Sequence, residues 1–174
     1  QNGTFYKECS NKYMFVLPES QIEKICNTIN NVFDYLSLAA IVNNRICMHG
    51  GLHSELTSIQ QISELNKPLS SESCRKNPMI NGILWNDPCL SIGFYTENWQ
   101  RGGNSQLFGK RAVVKFLKAN GLIGIIRAHQ CVAEGHEERL NGMLITLFSA
   151  PKYDNDNKAE IIKLEKSDSG NYSV

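Results

Sequence analysis

Two histidines in this chain stand where apolar runs give way to polar residues. His49 follows the run 38–48 and precedes Gly50-Gly51, and His129 comes shortly after the apolar run 122–126. Neutral imidazoles on separate strands suit a transition-metal ion such as zinc, manganese or iron. Two histidines do not fill the four to six positions around such an ion, so further ligands have to come from elsewhere. Each histidine taken alone is equally compatible with a structural role at a strand end.

Charged residues near the same runs could bind an anion. Arg101, beside Gly102-Gly103, either presents its guanidinium fork to a phosphate or carboxylate or lies solvated in a loop. Arg127 precedes His129 by two residues, so on a strand both side chains would point the same way. Arg127 could equally pair with an acid in the core. The carboxylates nearby, Asp87 and the acidic segment 154–156, follow no recognisable ligand spacing.

The elements that must position these residues are read from apolar periodicity. Ser20 and Glu23 form a capping box that predicts a helix over the following residues. Asn43-Asn44 predicts a tight hairpin that delivers His49, since asparagine tolerates positive φ. Asn120-Gly121 predicts the C-terminal cap of a helix that begins after Gly109. The remaining predictions are a short helix over 59–65, surface loops over 66–82 and 89–107, and strands over 122–126, 143–148 and 159–165.

The composition excludes several classes of protein. At 174 residues with 41% apolar and 20% charged residues, the sequence is that of an ordinary globular domain. A net charge of +1 gives no bulk field toward nucleic acid or a membrane, and no run is long enough to span a bilayer. Six cysteines without a Cys-x-x-Cys pair favour thiols in a reducing compartment, the cytoplasm or the nucleus. Residues alone thus indicate an α/β domain that could support metal-assisted phosphate chemistry.

The order of the motifs adds a resemblance to a known family. Five blocks resemble the C-terminal half of the phosphoprotein phosphatase (PPP) family of serine/threonine phosphatases, and they cover nearly all of residues 3–165. The blocks are Phe33-Asp34-Tyr35-Leu36-Ser37-Leu38-Ala39-Ala40-Ile41 through His49-Gly50-Gly51-Leu52, then Leu84-Trp85-Asn86-Asp87-Pro88, Arg101-Gly102 with Phe108-Gly109, Arg127-Ala128-His129-Gln130, and Leu147-Phe148-Ser149-Ala150-Pro151-Lys152-Tyr153.

The resemblance implies a fold and an activity. The fold is a calcineurin-like metallophosphoesterase β-sandwich flanked by helices, α/β (α+β) in class, of which this chain resembles the C-terminal portion. Residues 1–165 would belong to one catalytic domain and 166–174 to a polar tail. The implied reaction is hydrolysis of phosphoserine and phosphothreonine in proteins by a dinuclear metal centre that activates a bridging water. Partners would be phosphoprotein substrates and regulatory subunits, with neither nucleic acid nor membrane.

The resemblance also implies roles for particular residues. His49 and His129 match two histidine ligands of one of the two divalent ions, which would be manganese, iron or zinc. Arg101 matches a phosphate-binding arginine, and Tyr153 matches the aromatic residue that lines the site. Asp87, with its packing neighbour Trp85 and with Arg127, would support the site.

Departures from the family pattern limit the prediction. Gly-Asp-x-His-Gly, Gly-Asp-x-x-Asp-Arg-Gly and Gly-Asn-His-Glu do not occur in these 174 residues. The remaining ligands, a second phosphate-binding arginine and the general-acid histidine are therefore expected upstream of Gln1, and this chain alone is predicted to be inactive. Lys152 and Asp154-Asn155 alter the loop beside Tyr153. The alternatives are a truncated or pseudo-phosphatase that binds proteins without catalysis, and a metallophosphoesterase for nucleotides or other small phosphoesters.

Overall fold

The computed structural model of the protein describes residues 4–166 and 172–173. The chain divides into two compact units, which we call the helical unit (Gln1–Leu36 with Asn66–Ser73) and the sheet unit (Ser37–Leu65 with Cys74–Val174). Within the described part, no helix has the length and apolar character needed to cross a membrane. The helices are α1 (Thr4–Tyr13), α2 (Glu19–Phe33), α3 (Gln60–Ser63), α4 (Ser71–Lys76), α5 (Pro78–Trp85) and α6 (Lys110–Asn120), and the strands are β1 (Ala39–Val42), β2 (Arg45–Met48), β3 (Asp87–Pro88), β4 (Tyr95–Glu97), β5 (Gln106–Phe108), β6 (Gly124–Arg127), β7 (His136–Arg139), β8 (Leu144–Leu147), β9 (Glu165–Lys166) and β10 (Tyr172–Ser173).

Helices α1 and α2 form the core of the helical unit. Their buried residues are Cys9, Ile22 and Cys26, and the rings of Phe5 and Phe33 pack with their centroids 5.6 Å apart. The predicted capping box at Ser20 is wrong: α2 begins at Glu19, its N-cap is Pro18, and no side chain caps it. Proline suits the start of a helix because its fixed φ is helical and its missing N–H is not needed there.

A five-stranded sheet, in the order β1-β2-β6-β8-β7, organises the sheet unit. The central strand β6 runs parallel to both β2 and β8, and every residue of β6 is buried. Such burial is typical of a strand with parallel neighbours on both sides, and it explains why the run 122–126 lacks alternation. The predicted hairpin is confirmed, since Asn43 and Asn44 connect β1 to β2 with φ of 49° and 58°.

The remaining strands form two smaller sheets, with the orders β3-β5-β4 and β10-β9. Helix α6 buries Ala112, Val113, Phe116 and Leu117, and Gly121 closes it with φ 63°, as its cap signal predicted. The mixture of helices with parallel and antiparallel strands confirms the predicted α/β class. The predicted tail, 166–174, lies mostly outside the described residues, so its separation from a single domain over 1–165 stays a prediction.

Four further local predictions are wrong. No strand covers 159–164, and the predicted loop 66–82 contains α4 and most of α5. The predicted loop 89–107 holds β4, a 3-10 helix (Trp99–Arg101) and most of β5, and the helix predicted over 59–65 is reduced to α3. Helix α5 escaped detection because it is buried on almost every side, which removes the amphipathic period that marks a surface helix. Its start is marked instead by the Asn77 side chain, which accepts from Ile80 N, and by Pro78.

Candidate active site

The two glycines after His49 bring the end of β2 against α5. Gly50 N donates to Ile83 O at 2.6 Å, and Gly51 N donates to Gly82 O at 3.2 Å. A Cβ on Gly50 would lie 2.5 Å from the carbonyl carbon of Leu84, and one on Gly51 would lie 2.1 Å from the Phe108 ring. Neither glycine has a positive φ, so the requirement is close approach rather than the tight turn expected from the sequence.

His129 lies just beyond the end of β6 and faces His49. Its backbone has φ 64°, and Ala128 N donates to His49 O at 3.1 Å, which holds the two strand ends together. Nδ1 of His129 lies 3.1 Å from Nε2 of His49. The Trp85 ring packs edge-on against the His129 ring at 5.2 Å between centroids. The structure therefore brings both predicted histidines together with Trp85.

The sequence left open whether Arg127 faces the site or pairs with an acid in the core, and the structure shows that it pairs with the buried Asp87. Its guanidinium is completely buried and donates from Nε to Gly50 O at 2.7 Å and from Nη2 to Asp87 Oδ1 at 2.9 Å. Nη1 donates to Gln130 Oε1, and Nη2 also donates to Asn86 O. His129 lies beyond the end of β6 and has a positive φ, so the strand alternation that would point it the same way as Arg127 does not apply to it.

Asp87 connects Arg127 to Arg101. Its Oδ2 accepts from Arg101 Nε at 2.9 Å and from Asn98 Nδ2 at 3.3 Å, and the residue is 4% exposed. Arg101 follows Trp99 in the 3-10 helix, and Gly102 ends that helix in the left-handed region. The Arg101 side chain stays about one-third exposed, so it is fixed at Nε and open to solvent elsewhere.

Burial and the arginines keep both histidines neutral. Burial first, and then the positive charge of Arg101, lowers the pKa of His129 to about 4. Burial followed by Arg127 also lowers the pKa of His49. Nε2 of His129 is buried and has no hydrogen-bond partner among the described residues. A neutral imidazole with an unpartnered nitrogen is in the protonation state that binds a metal ion.

A cavity of about 610 Å³ joins six of the seven predicted site residues. Asp87 does not line this cavity, and it holds Arg101 and Arg127 from behind. Tyr153 is 73% exposed, and its ring packs against Phe148 with centroids 5.3 Å apart. The six lining residues are His49, Trp85, Arg101, Arg127, His129 and Tyr153.

The donor set fits part of a metal site. Within residues 4–166 and 172–173, no group of three or more His, Cys, Asp or Glu side chains could hold a metal ion. Asp87, the nearest buried carboxylate, is already engaged by Arg101 and Arg127. The two facing imidazoles therefore fit two positions of a larger ligand set, and the described residues do not supply the rest.

Three amide side chains that support the site were missed in the sequence. Asn86 is fully buried, donates from Nδ2 to Leu52 O at 2.7 Å, and accepts from Gln106 N at 2.6 Å. Gln130 and Asn98 hold Arg127 and Asp87, respectively. Asn86 and Gln130 both adjoin predicted site residues in the motif blocks, and that adjacency is the signal that could have identified them.

Comparison with known proteins places this geometry in a family. A model of the calcineurin-like phosphoesterases matches residues 2–133, and the chain therefore belongs to that family. The chain is 36% identical to the serine/threonine-protein phosphatase 4 catalytic subunit of Saccharomyces cerevisiae and 35% identical to that of Candida glabrata, in each case over 98% of this chain. It spans 52% of the length of each of these relatives, about half.

A solved structure agrees. The protein superposes with a TM-score of 0.70 and 26% identity on a protein serine/threonine phosphatase from Saccharomyces cerevisiae described as similar to human phosphatase PP5. The match covers 86% of this chain and 43% of that one. The predicted calcineurin-like fold and the resemblance to the PPP serine/threonine phosphatases are confirmed.

Proposed function

We propose that this chain carries one part of the active site of a metal-dependent protein phosphatase that hydrolyses phosphoserine and phosphothreonine. The observation that carries the proposal is the facing pair His49 and His129, whose nitrogens lie 3.1 Å apart beside an unpartnered His129 Nε2. The similarity to phosphatase 4 catalytic subunits supports the substrate class. The rest of the ligand set and the general acid would come from residues outside these 174.

His49 and His129 would hold one of two divalent ions, manganese, iron or zinc. The bound ions would supply a water activated for attack on phosphorus and positive charge for the developing oxyanion. The hydrogen bonds of Gly50 and Gly51 to α5 and the Ala128–His49 backbone hydrogen bond set the separation of the two imidazoles. Their lowered pKa values keep both rings unprotonated at neutral pH, so no proton has to leave before a metal ion binds.

Arg101 would bind the phosphoryl oxygens. Its Nε is anchored on Asp87, and neither Nη1 nor Nη2 donates to another of the described residues, so both terminal NH2 groups are available to an anion in the cavity. A guanidinium fixed in this way loses little conformational entropy on binding phosphate. Tyr153, exposed on the cavity lining, would contact the phosphorylated segment.

We further propose that residues 1–165 form part of one catalytic domain acting on phosphoproteins in the cytoplasm or nucleus under the control of regulatory subunits. The colinear match of the family model through residue 133 supports a domain that includes both units. Specificity for particular phosphoproteins would then be set outside the cavity described here.

The test is phosphopeptide hydrolysis by the native protein with manganese. His129→Ala removes one ligand of the metal ion, and a loss of several kcal/mol of transition-state stabilisation corresponds to at least about 10³-fold in kcat/KM. His136→Ala is the matched control, since this histidine lies on β7 and pairs with Glu160 outside the cavity. The 174-residue chain assayed alone should hydrolyse the peptide at the background rate.

Two results would contradict the proposal. Native protein that is inactive, but still binds phosphoprotein or partner chains, would support the non-catalytic alternative. Turnover that survives both His49→Ala and His129→Ala would show that these two histidines are not metal ligands, even if the protein is a phosphatase.

A further inference from the structure

Two buried thiols meet in the core of the helical unit, in a region that the proposed phosphatase site does not use. Cys9 on α1 is 7% exposed, and Cys26 on α2 is 1% exposed. Together with Ile22 they make up the buried cluster between the two helices. Burial, and then the nearby Cys9 side chain, raises the pKa of the Cys26 thiol, in keeping with the two side chains sharing this cluster.

A covalent link between the two thiols would reinforce a limited apolar core. The cluster is small, and the apolar side chains packed against it are only partly buried: Phe5, Tyr6, Tyr13 and Leu17. A unit of this size has little apolar core, and small units with weak cores are commonly stabilised by disulfides or metals. A disulfide between them requires the Cα atoms of residues 9 and 26 to come within about 7 Å.

We propose that Cys9 and Cys26 form a reversible disulfide that links α1 to α2 when the protein meets glutathione disulfide. The thiolate of one cysteine attacks one sulfur of glutathione disulfide and releases one glutathione thiol. The second cysteine then attacks the mixed disulfide and releases the second glutathione. The two protein thiols lose two electrons and two protons in total, and one glutathione disulfide is reduced to two molecules of glutathione.

Accessibility decides the order of the two steps. Cys9 is the more exposed of the two thiols, so local opening of α1 would expose it to the oxidant before Cys26. Cys26 is the resolving cysteine, because burial raises the pKa of its thiol and a neutral thiol attacks slowly until its partner has reacted. The link would close the chain from residue 9 to residue 26 and so restrict the unfolded state of the segment that contains α1 and α2.

The experiment uses the 174-residue chain, equilibrated with glutathione disulfide or with dithiothreitol, alkylated and digested with trypsin. Cleavage after Lys7, Lys12, Lys24 and Arg45 places Cys9 alone in peptide 8–12 and Cys26 alone in peptide 25–45. The oxidised sample should contain these two peptides joined, two hydrogen atoms lighter than their sum, and dithiothreitol should separate them. Digestion of the native chain at Lys12 and Lys24 should slow by about tenfold on oxidation.

Cys9→Ser and Cys26→Ser should each abolish both the linked peptide and the change in digestion rate. Cys89→Ser is the matched control, since Cys89 lies in the sheet unit beside Ser91 and should leave both readouts unchanged. Peptide mapping of the wild-type chain stands even if a serine variant unfolds. Glutathione adducts without a link, or links only to other cysteines, would overturn the proposal whether or not the protein is a phosphatase.

Discussion

Two arginines are buried in adjacent parallel strands of the same sheet, and their surroundings are opposite. Arg127 at the end of β6 is 1% exposed, and all three of its nitrogens donate to oxygen atoms. Arg45 at the start of β2 is 9% exposed, yet its Nε and Nη1 are buried without a hydrogen-bond partner among the residues described. The register pairs Arg45 with Gly124 and Arg127 with Met48, so the two guanidinium groups mark opposite ends of one strand pair.

The difference comes from what each end of the sheet offers a cation. At the end of β6 the chain turns repeatedly, and Gly50 and Asn86 present carbonyl groups beside the Asp87 carboxylate. At the start of β2, the Arg45 side chain lies across Gly124, where Nε is 3.4 Å from the position of a Cβ. Arg127 thus fixes the candidate site through polar contacts, whereas Arg45 covers a glycine with its hydrocarbon stem.

The largest expected effect comes from removing the well-partnered arginine. Arg127→Met leaves Asp87 buried with one fewer cation and leaves Gly50 O and Gln130 without their donor, so the free energy of unfolding should fall by about 3–5 kcal/mol. Urea denaturation of the chain measures it. Arg139→Met, which breaks an exposed pair with Glu137, should cost less than about 1 kcal/mol. Equal losses in the two variants would show that burial of Arg127 is unimportant.

A smaller effect should follow from displacing the backbone of Gly50, whose carbonyl oxygen accepts a hydrogen bond from Arg127. Gly50→Ala places a methyl group 2.5 Å from the backbone of Leu84, which cannot move without shifting α5, and the variant should lose about 1–3 kcal/mol of stability. Gly93→Ala is the matched control, because its nearest atom lies at an ordinary 3.5 Å, on the side chain of Arg111. Thermal unfolding compares the two, and a neutral Gly50→Ala would contradict the close packing of the turn.

Replacing the poorly partnered arginine should have the opposite sign. Arg45→Met keeps an apolar chain over Gly124 and removes buried N–H groups that lack acceptors, so stability should stay constant or rise by about 1 kcal/mol. The same denaturation experiment measures it. A loss comparable to that of Arg127→Met would mean that Arg45 has partners outside the described residues.

The comparison also separates what the sequence could predict from what it could not. The ends of β2 and β6, and hence the places of His49 and His129 at strand ends, follow from apolar runs and turn residues that are local in sequence. The partner of Arg127 lies 40 residues away at Asp87, and nothing local indicates it. Helix α5 and the crowding at Gly50 depend on tertiary contacts that neither periodicity nor turn chemistry encodes. Local signals therefore located the histidines, and the contacts that fix them required the three-dimensional structure.

A third buried basic group, His53, does not bury an unpaired charge as Arg45 does, because burial favours its neutral form. It is 7% exposed, its Nδ1 accepts from Glu55 N at 3.2 Å, and burial lowers its pKa below the usual 6.5. Below about pH 6.5 the unfolded chain therefore binds a proton at His53 that the folded chain does not. The free energy of unfolding should fall as the pH drops from about 6.5 toward the lowered pKa, and His53 should make no pH-dependent contribution to it above about pH 6.5. His53→Gln should make the urea midpoint less sensitive to pH between about 5 and 7. His136→Gln, on an exposed histidine, is the control, and an unchanged pH slope in His53→Gln would show that folded His53 accepts the proton as readily as the unfolded chain does.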